Sequence, residues 1–376
     1  MCQTALWEKD TDSDVLLAAL ELSAKTWKVA LGARGRTSQV TVAAGDLPAL
    51  WEAFTKTKRR FGLDPAAAVL TCYEAGRDGF WIHRELEKAG VRNLVVDAAS
   101  IEVDRRQRRA KTDRLDAGRL LAQLQRWYGG ERKALRTVRV PSVAAEDARR
   151  SHRELGRLRK ERTGHSNRLR SLLVLHGIRL SVGVSFPQEV EKLGEVLPAH
   201  LRAEMLREYE RWQLVSQQIR ALESEQHREV RQPSAERHIH VIRQLSALRA
   251  VGEGSARVFA CELFGWRDFD NPRQVGAVVG LTGTPYASGT LNHEQGISKA
   301  GNRRVRAVLI EIAWCWLRYQ PESKLTKWFH TRFTGSARLR RIGIVALARR
   351  LIIDLWRYVR DGVVPEGAQF KPRLAA

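Results

Sequence analysis

Apolar positions along the first 130 residues change their period several times. Val15–Leu22 is an almost unbroken apolar run, and a Ser-Ala-Lys turn separates it from the shorter run Lys28–Leu31. Ser38–Ala43 alternates, so strands are expected in succession here. Asp46 is placed to cap a helix through Arg60; Ala67–Cys72 reads as a buried strand, Gly79–Lys88 as a helix and Asn93–Asp97 as another short strand. Three strands followed by alternating α and β units predict a mixed sheet with helices on its faces.

The texture then changes. Ala144–Leu175 and Leu201–Arg231 read as long charged helices with Leu or Ile at heptad-like intervals, on either side of a Gly-Val-Ser-Phe-Pro loop at Gly183–Pro187. Such a pair predicts an antiparallel coiled coil or helical arm. Beyond residue 235 the chain reads as mainly helical, with Trp314, Trp316, Trp328 and Trp356 expected in the core. Leu248–Gly254 has the look of a helix-hairpin-helix turn or of a plain helical turn. The expected organisation is an α/β domain at 1–130, a helical arm at 131–235 and a mainly helical domain at 236–376, that is, α/β plus α.

Charge narrows the partners. Among 376 residues, 65 Lys and Arg face 42 Asp and Glu, a net charge of +23, while 43% of residues are hydrophobic. A foldable chain this basic faces a polyanion, most often nucleic acid. The stretch 131–170 alone holds 13 Lys and Arg against 5 Asp and Glu, a solvated helix face or a backbone contact with nucleic acid. Apolar stretches such as Val308–Leu317 are too short to span a bilayer, and Met1–Asp14 is acidic without a signal-peptide pattern. Cys2, Cys72, Cys261 and Cys315 stand singly, against a zinc ribbon or a disulfide framework, so a cytoplasmic, nucleoid-associated protein without a membrane partner is expected.

The candidate chemistry is acidic. Asp113 and Asp116 lie three apart at the start of a helix running to about Trp127, on one helix face. Arg105, Arg106, Arg108, Arg109, Lys111 and Arg114 surround them. Those bases can answer the repulsion between the two carboxylates, and so can a divalent ion. Glu21 interrupts the apolar run of the first strand and Glu74 follows Ala67–Cys72. Carboxylates on two strand ends and a following helix can converge at one sheet edge, where hard oxygen ligands suit Mg²⁺ or Mn²⁺. The pattern is that of a nuclease-like fold of the RNase H type. A second constellation, Gly280–Gly289 and then Gly296–Arg304, reads as two Gly-rich turns, the second opening a helix. Lys299, Arg303 and Arg304 with the backbone amides there make a phosphate cradle. Taken alone, Ser288 reads as a turn residue and His293 as a loop histidine.

Three stretches in order carry a specific resemblance: Tyr73-Glu74-Ala75-Gly76, Lys111-Thr112-Asp113-Arg114-Leu115-Asp116-Ala117, and Gly280-Leu281-Thr282 through Ala287-Ser288-Gly289 to Ser298-Lys299-Ala300-Gly301-Asn302. The chain resembles the insertion sequence 110 family of transposases, the DEDD or bridge-RNA-guided recombinases. That resemblance implies a RuvC-like RNase H domain whose Mg²⁺ ligands map to Glu21, Glu74, Asp113 and Asp116, a coiled-coil arm, and a transposase domain whose nucleophilic serine maps to Ser288. It also implies donor and target DNA, an element-encoded bridge RNA and a homo-oligomer, dimer or tetramer, as partners. Two positions depart from the family pattern: Glu21 replaces the usual Asp, and Gly283 stands where a proline follows Gly-Leu-Thr. Two other classes share these features: a Mg²⁺-dependent, structure-specific DNA nuclease using water as nucleophile, and a nucleic-acid-binding scaffold whose acids pair with the neighbouring arginines.

Overall fold

A computed structural model describes residues 14–101, 113–288 and 291–372, with the backbone course alone for 113–115, 195, 285–288 and 291–295. Contacts divide the chain into two compact units, Met1–Val140 and Pro141–Ala376.

The first unit is built on a mixed sheet. Strands β1 (Leu16–Leu22), β2 (Thr26–Ala33) and β3 (Arg36–Ala43) form an antiparallel meander, and β4 (Val69–Glu74) and β5 (Arg92–Val96) add parallel to β1, giving the order β3-β2-β1-β4-β5. Alternation divides the sheet's side chains between two cores. Leu16, Ala18, Leu20, Val29, Leu31 and Tyr73 face one side. There Leu50 and Phe54 of α1 (Leu47–Phe61) and Ile82 and Leu86 of α2 (Trp81–Lys88) cover them. Asp46 caps α1, accepting from the Ala49 amide at 2.9 Å. Leu17, Ala19, Leu70 and Cys72 face the other side, where Ala117, Leu120, Leu121 and Leu124 of α3 (Asp113–Tyr128) pack on them. Each buried leucine of that stripe contributes roughly 1.5–3 kcal/mol. After α3 the chain returns to the sheet: Thr137 bridges Val96, and the Val138 amide donates to the Val95 carbonyl at 2.7 Å.

The second unit is mainly helical. The expected single helix over Ala144–Leu175 is two, α4 (Val143–Asp147) and α5 (Arg150–Val174). The break falls where the Arg149 amide turns back to the Glu146 carbonyl and its guanidinium covers the Trp266 ring. After α6 (Phe186–Lys192), α7 (Ala199–Arg231) returns antiparallel to α5. The pairing runs from Ser151 with Gln226, through Arg159 with Glu223 and Ser166 with Trp212, to Arg168 with Glu204.

The remaining helices are α8 (Arg237–Ser246), α9 (Glu253–Phe259), α10 (Pro272–Val278), α11 (Arg303–Tyr319), α12 (Lys324–Arg332) and α13 (Ala337–Asp361). Trp316 and Trp356 enter their common core as expected. Trp328 lies partly buried at its margin, and Trp314, two residues from Trp316 and so turned away from it on the helix, is 41% exposed. The turn between α8 and α9 is plain and covered: the Arg249 amide donates to the Gln369 carbonyl, the Lys371 amide to that of Ala247, and Lys371 Nζ to that of Val251. The two Gly-rich turns expected at 280–304 are instead largely a β-hairpin, β6 (Gly283–Ser288) against β7 (Leu291–Ile297). Pro285, which donates no amide, disguised the strand in the sequence; the ladder shifts register between Gly283 and Pro285.

One buried carboxylate joins three of these parts. Residues Ala260–Phe264 wind as a π-helical turn after α9, and within it Glu262 is 4% exposed. Its Oε1 accepts from His152 Nε2 at 2.9 Å and from Arg153 Nε at 2.8 Å, both on α5. Oε2 accepts from Arg153 Nη2 at 2.8 Å and from Asn302 Nδ2 at 2.9 Å. Burial alone would raise the Glu262 pKa, but the hydrogen bonds from His152 and Arg153 outweigh it and hold the carboxyl well below the usual range. Burial keeps His152 neutral by pushing its pKa down.

Both shifts make stability fall in acid. His152 takes up a proton more readily when unfolded, so unfolding gains ground below about pH 6.5. Glu262 contributes stability above about pH 4.5 and loses it as pH drops through its lower folded value. Urea midpoints between pH 8 and 3 are expected to show both limbs, with Glu262→Gln flattening the lower one; an unchanged lower limb in that variant would assign acid unfolding elsewhere. Gly301 supplies a second test: at φ 99° it lies so close to the Val278 carbonyl oxygen that a Cβ has no room. Gly301→Ala is expected to cost about 3 kcal/mol or more, whereas Gly254→Ala, which meets open space in α9, should be neutral or stabilise by up to about 1 kcal/mol. Thermal unfolding of the two variants checks the contrast.

Candidate active site

The acids of the first unit are placed by strand register. The ladder between β1 and β4 ends at the pair Leu20 and Tyr73, so Glu21 and Glu74 are the next residues at the same end of these two neighbouring parallel strands. Glu74 is thus the last residue of its strand and not a residue beyond it. Alternation after Ala19 and Cys72 turns both carboxylates to the face that α3 covers. On the other side of β1, Lys28 of β2 lies opposite Glu21, its Nζ donating to Thr41 Oγ1 at 2.8 Å.

Helix α3 runs antiparallel to β1 across that face. A Cβ on Gly32, whose partner is Leu17, would meet Gln125 and Leu121, and Gly118 lies against Gln39 further along. From Gln125 to Asp113 the helix rises about 18 Å, while Leu17 to Glu21 spans about 13 Å of strand. The first turn of α3 therefore reaches the strand end that carries Glu21 and Glu74. Positions 113 and 116 extend the buried stripe of Ala117, Leu120, Leu121 and Leu124 at its N-terminal end. Asp116 is partly buried and 3.6 Å from Arg119. Glu21 and Asp116 are partly buried, and Glu74 is exposed.

These residues are all hard oxygen donors, a set that fits Mg²⁺ or Mn²⁺ in chemistry. Carboxylates at the ends of neighbouring strands repel one another, which favours a cation between them. Among the described residues no group of three or more His, Cys, Asp or Glu is gathered closely enough to hold a metal. The Asp113 side chain lies outside the described residues, as do Arg105, Arg106, Arg108, Arg109 and Lys111. Cys72 and Cys261 are packing residues, their thiols pushed up by burial, Cys261 to about 12.

In the second unit, Ser288 is the last residue of β6 and pairs with Leu291, so it stands at the turn end of the hairpin; Tyr286 pairs with His293. The base of the hairpin is tightly closed. The Ser298 amide donates to the Thr282 carbonyl at 2.9 Å, that of Lys299 to Gly280 at 3.1 Å and that of Asn302 to Val278 at 2.8 Å. Gly280, at φ 67°, abuts the Ala300 carbonyl as closely as Gly301 abuts Val278. Asn302 then caps α11, its Oδ1 accepting from the amides of Arg304 and Val305. Those amides are taken, so a phosphate reaching this end of α11 meets the side chains of Lys299 and Arg303, both exposed, more readily than backbone N–H groups. Arg304 is exposed overall, yet its guanidinium lies close over Gly156 of α5.

Sequence inspection did not single out Glu262, His152, Arg153 or Asn302 as a group. One signal was present, a lone acid inside the apolar run Val258-Phe259-Ala260-Cys261-Glu262-Leu263-Phe264. Its partners lie 109 and 110 positions away in one direction and 40 in the other, beyond any local pattern.

A sequence model of the Transposase IS116/IS110/IS902 family matches residues 242–327, which contain Glu262, the hairpin and Asn302. The chain is 39% identical to "Putative transposase y4rJ" of Sinorhizobium fredii (strain NBRC 101917 / NGR234) over 379 residues, covering 96% of each. It is 29% identical to "Putative transposase y4qE" of the same strain, covering 78% of this chain and 76% of the relative. It is 25% identical to "Transposase for insertion sequence element IS1328" of Yersinia enterocolitica, covering 57% of this chain and 63% of the relative. With nearly its whole length shared with such a relative, the chain belongs to the IS116/IS110/IS902 family of transposases.

Proposed function

We propose that this transposase cuts and rejoins DNA through a covalent serine intermediate, with Ser288 as the nucleophile and Glu21, Glu74, Asp113 and Asp116 as the ligands of Mg²⁺ or Mn²⁺. The observation that carries the reading is the placement of Glu21 beside Glu74 at one end of neighbouring parallel strands, on the face toward which the first turn of α3 brings positions 113 and 116. The strand order β3-β2-β1-β4-β5, with three antiparallel strands and two parallel additions, supports an RNase H-like, RuvC-like domain. The net charge of +23 supports a nucleic-acid partner; membership of the family adds to the reading DNA for the chemistry, a bridge RNA for guidance and a homo-oligomer. No described helix is long and apolar enough to cross a membrane.

In the cleavage step the Ser288 oxygen attacks phosphorus, the P–O3′ bond breaks, the serine proton is lost to a base and the departing oxygen leaves as a 3′-hydroxyl. When bound, the divalent ion polarises the scissile phosphate and stabilises the leaving oxygen. Glu21 and Glu74 supply the negative charge that holds the ion, and Lys28 beside Glu21 offsets part of their mutual repulsion. Lys299 and Arg303 hold the DNA backbone near the hairpin as point charges. Rejoining reverses the step, conserving the bond energy as a phosphoserine ester.

Two outcomes are expected. Ser288→Ala abolishes both the covalent protein–DNA adduct and the excised circular junction, measured by denaturing gels and by amplification across the abutted ends. Mg²⁺-dependent cutting that persists in Ser288→Ala would replace the serine with water and make the protein a nuclease; binding without cutting in the wild type would leave a scaffold. Glu74→Gln should lower adduct formation by about 100-fold or more while DNA affinity changes little. An adduct rate unaltered in that variant removes Glu74 from the metal site.

A further inference from the structure

Glu262 lies at the crossing of three elements that sequence keeps far apart. Its carboxylate is met from one side by His152 and Arg153 on α5, at 2.9 and 2.8 Å, and from the other by Asn302 Nδ2 at 2.9 Å. Asn302 ends the stretch that closes the hairpin base. Its amide is bonded to Val278, its side-chain oxygen caps α11, and the two preceding bonds of the ladder, Lys299 to Gly280 and Ser298 to Thr282, lead directly into β7 and β6. Close packing of Gly280 on Ala300 and of Gly301 on Val278 leaves that ladder little freedom to shift. The hairpin is therefore mounted on Asn302, and Asn302 is mounted on a carboxylate that the arm holds.

We propose that Glu262 and Asn302 are positioning residues for the serine hairpin, and that they couple its placement to the seating of α5. The inference rests on the reading of Ser288 as nucleophile for its catalytic consequence, though not for its mechanical part. Neither residue touches the reacting atoms; they act by fixing the ladder that carries β6 and β7. Arm movement that draws His152 and Arg153 away leaves the Glu262 charge buried and uncompensated, and so loosens the one acceptor that orients the Asn302 amide. The arm and the nucleophile thereby share a single hydrogen-bonded joint. The same joint gives α5 a way to license chemistry: a nucleic acid or second subunit that seats the arm also sets the hairpin.

Asn302→Asp separates positioning from folding. Aspartate remains a good helix cap, so α11 keeps its first turn, but it turns an oxygen toward Glu262 where an N–H had been. The double variant E262Q/N302D restores the bond to position 302 with reversed polarity, at the expense of the Arg153 Nη2 bond to the same carboxylate oxygen. In the full-length protein, Asn302→Asp is expected to speed amide exchange in peptides covering 283–302 by about tenfold or more, and to slow adduct formation similarly, as for one lost hydrogen bond with two carboxylates left facing each other. Peptides from α13 and the DNA dissociation constant should stay unaltered. The double variant should return both quantities from the Asn302→Asp values to about those of Arg153→Gln, which lacks the same arm contact. Arg153→Gln, on α5, should loosen the same hairpin peptides although it touches neither strand. Unchanged hairpin exchange in both Asn302→Asp and Arg153→Gln would overturn the coupling. Rescue of exchange by the double variant without rescue of the adduct rate would overturn the positioning role. If the wild type forms no serine adduct, the nucleophile reading fails, and hairpin exchange by itself still decides the mechanical coupling.

Discussion

A single buried carboxylate governs the second unit. Glu262 accepts four hydrogen bonds from three residues, with the guanidinium of Arg153 as its counter-charge. Such a group is costly to bury alone and stays ionised only because its partners are fixed. The constraint propagates outward. The π-helical turn directs Glu262 inward, α5 must lie where His152 and Arg153 can reach it, and α11 must begin where Asn302 can both cap it and donate. Apolar packing among α8 to α13 supplies the bulk of the driving force, while this polar joint selects which of the many compact arrangements is adopted.

The first unit solves a different problem, that of holding like charges together. Register puts Glu21 beside Glu74, and the buried stripe of α3 delivers its acidic first turn to the same strand ends. Repulsion among these groups is a cost borne by the packing of Leu120, Leu121 and Leu124 behind them. Rigid strands and a packed helix are suited to that task because they fix the backbone positions from which the acids project.

The sheet and its flanking helices were legible because each element carried a local signal. The Asp46 cap, the alternation in β3 and the apolar run of β4 each reported on themselves, and the acids announced themselves, Glu21 by interrupting an apolar run and Glu74 by following one. Departures arose where local signals misled or where partners were distant. Pro285 and the surrounding glycines resembled turn chemistry although the segment pairs as a bulged hairpin. Trp314 shares its sequence neighbourhood with the buried Trp316, yet half a helical turn separates their directions. The Glu262 joint was out of reach for a plain reason: no periodicity links positions 152, 262 and 302.

The strand of chain at 369–371 closes the second unit in a way that bears on how it is made. Gln369, Phe370 and Lys371 pair with the α8–α9 turn at Ala247–Val251, some 120 positions earlier, and Gln320 Nε2 donates to the carbonyls of both Arg249 and Gln369. Loops of that length close slowly, after local helices have already formed. During synthesis the turn therefore waits with open backbone groups through the whole of the hairpin, α11, α12 and α13. The unit that presents the hairpin is completed by this seam, so a newly made chain completes it only after the hairpin, α11, α12 and α13 have all been made.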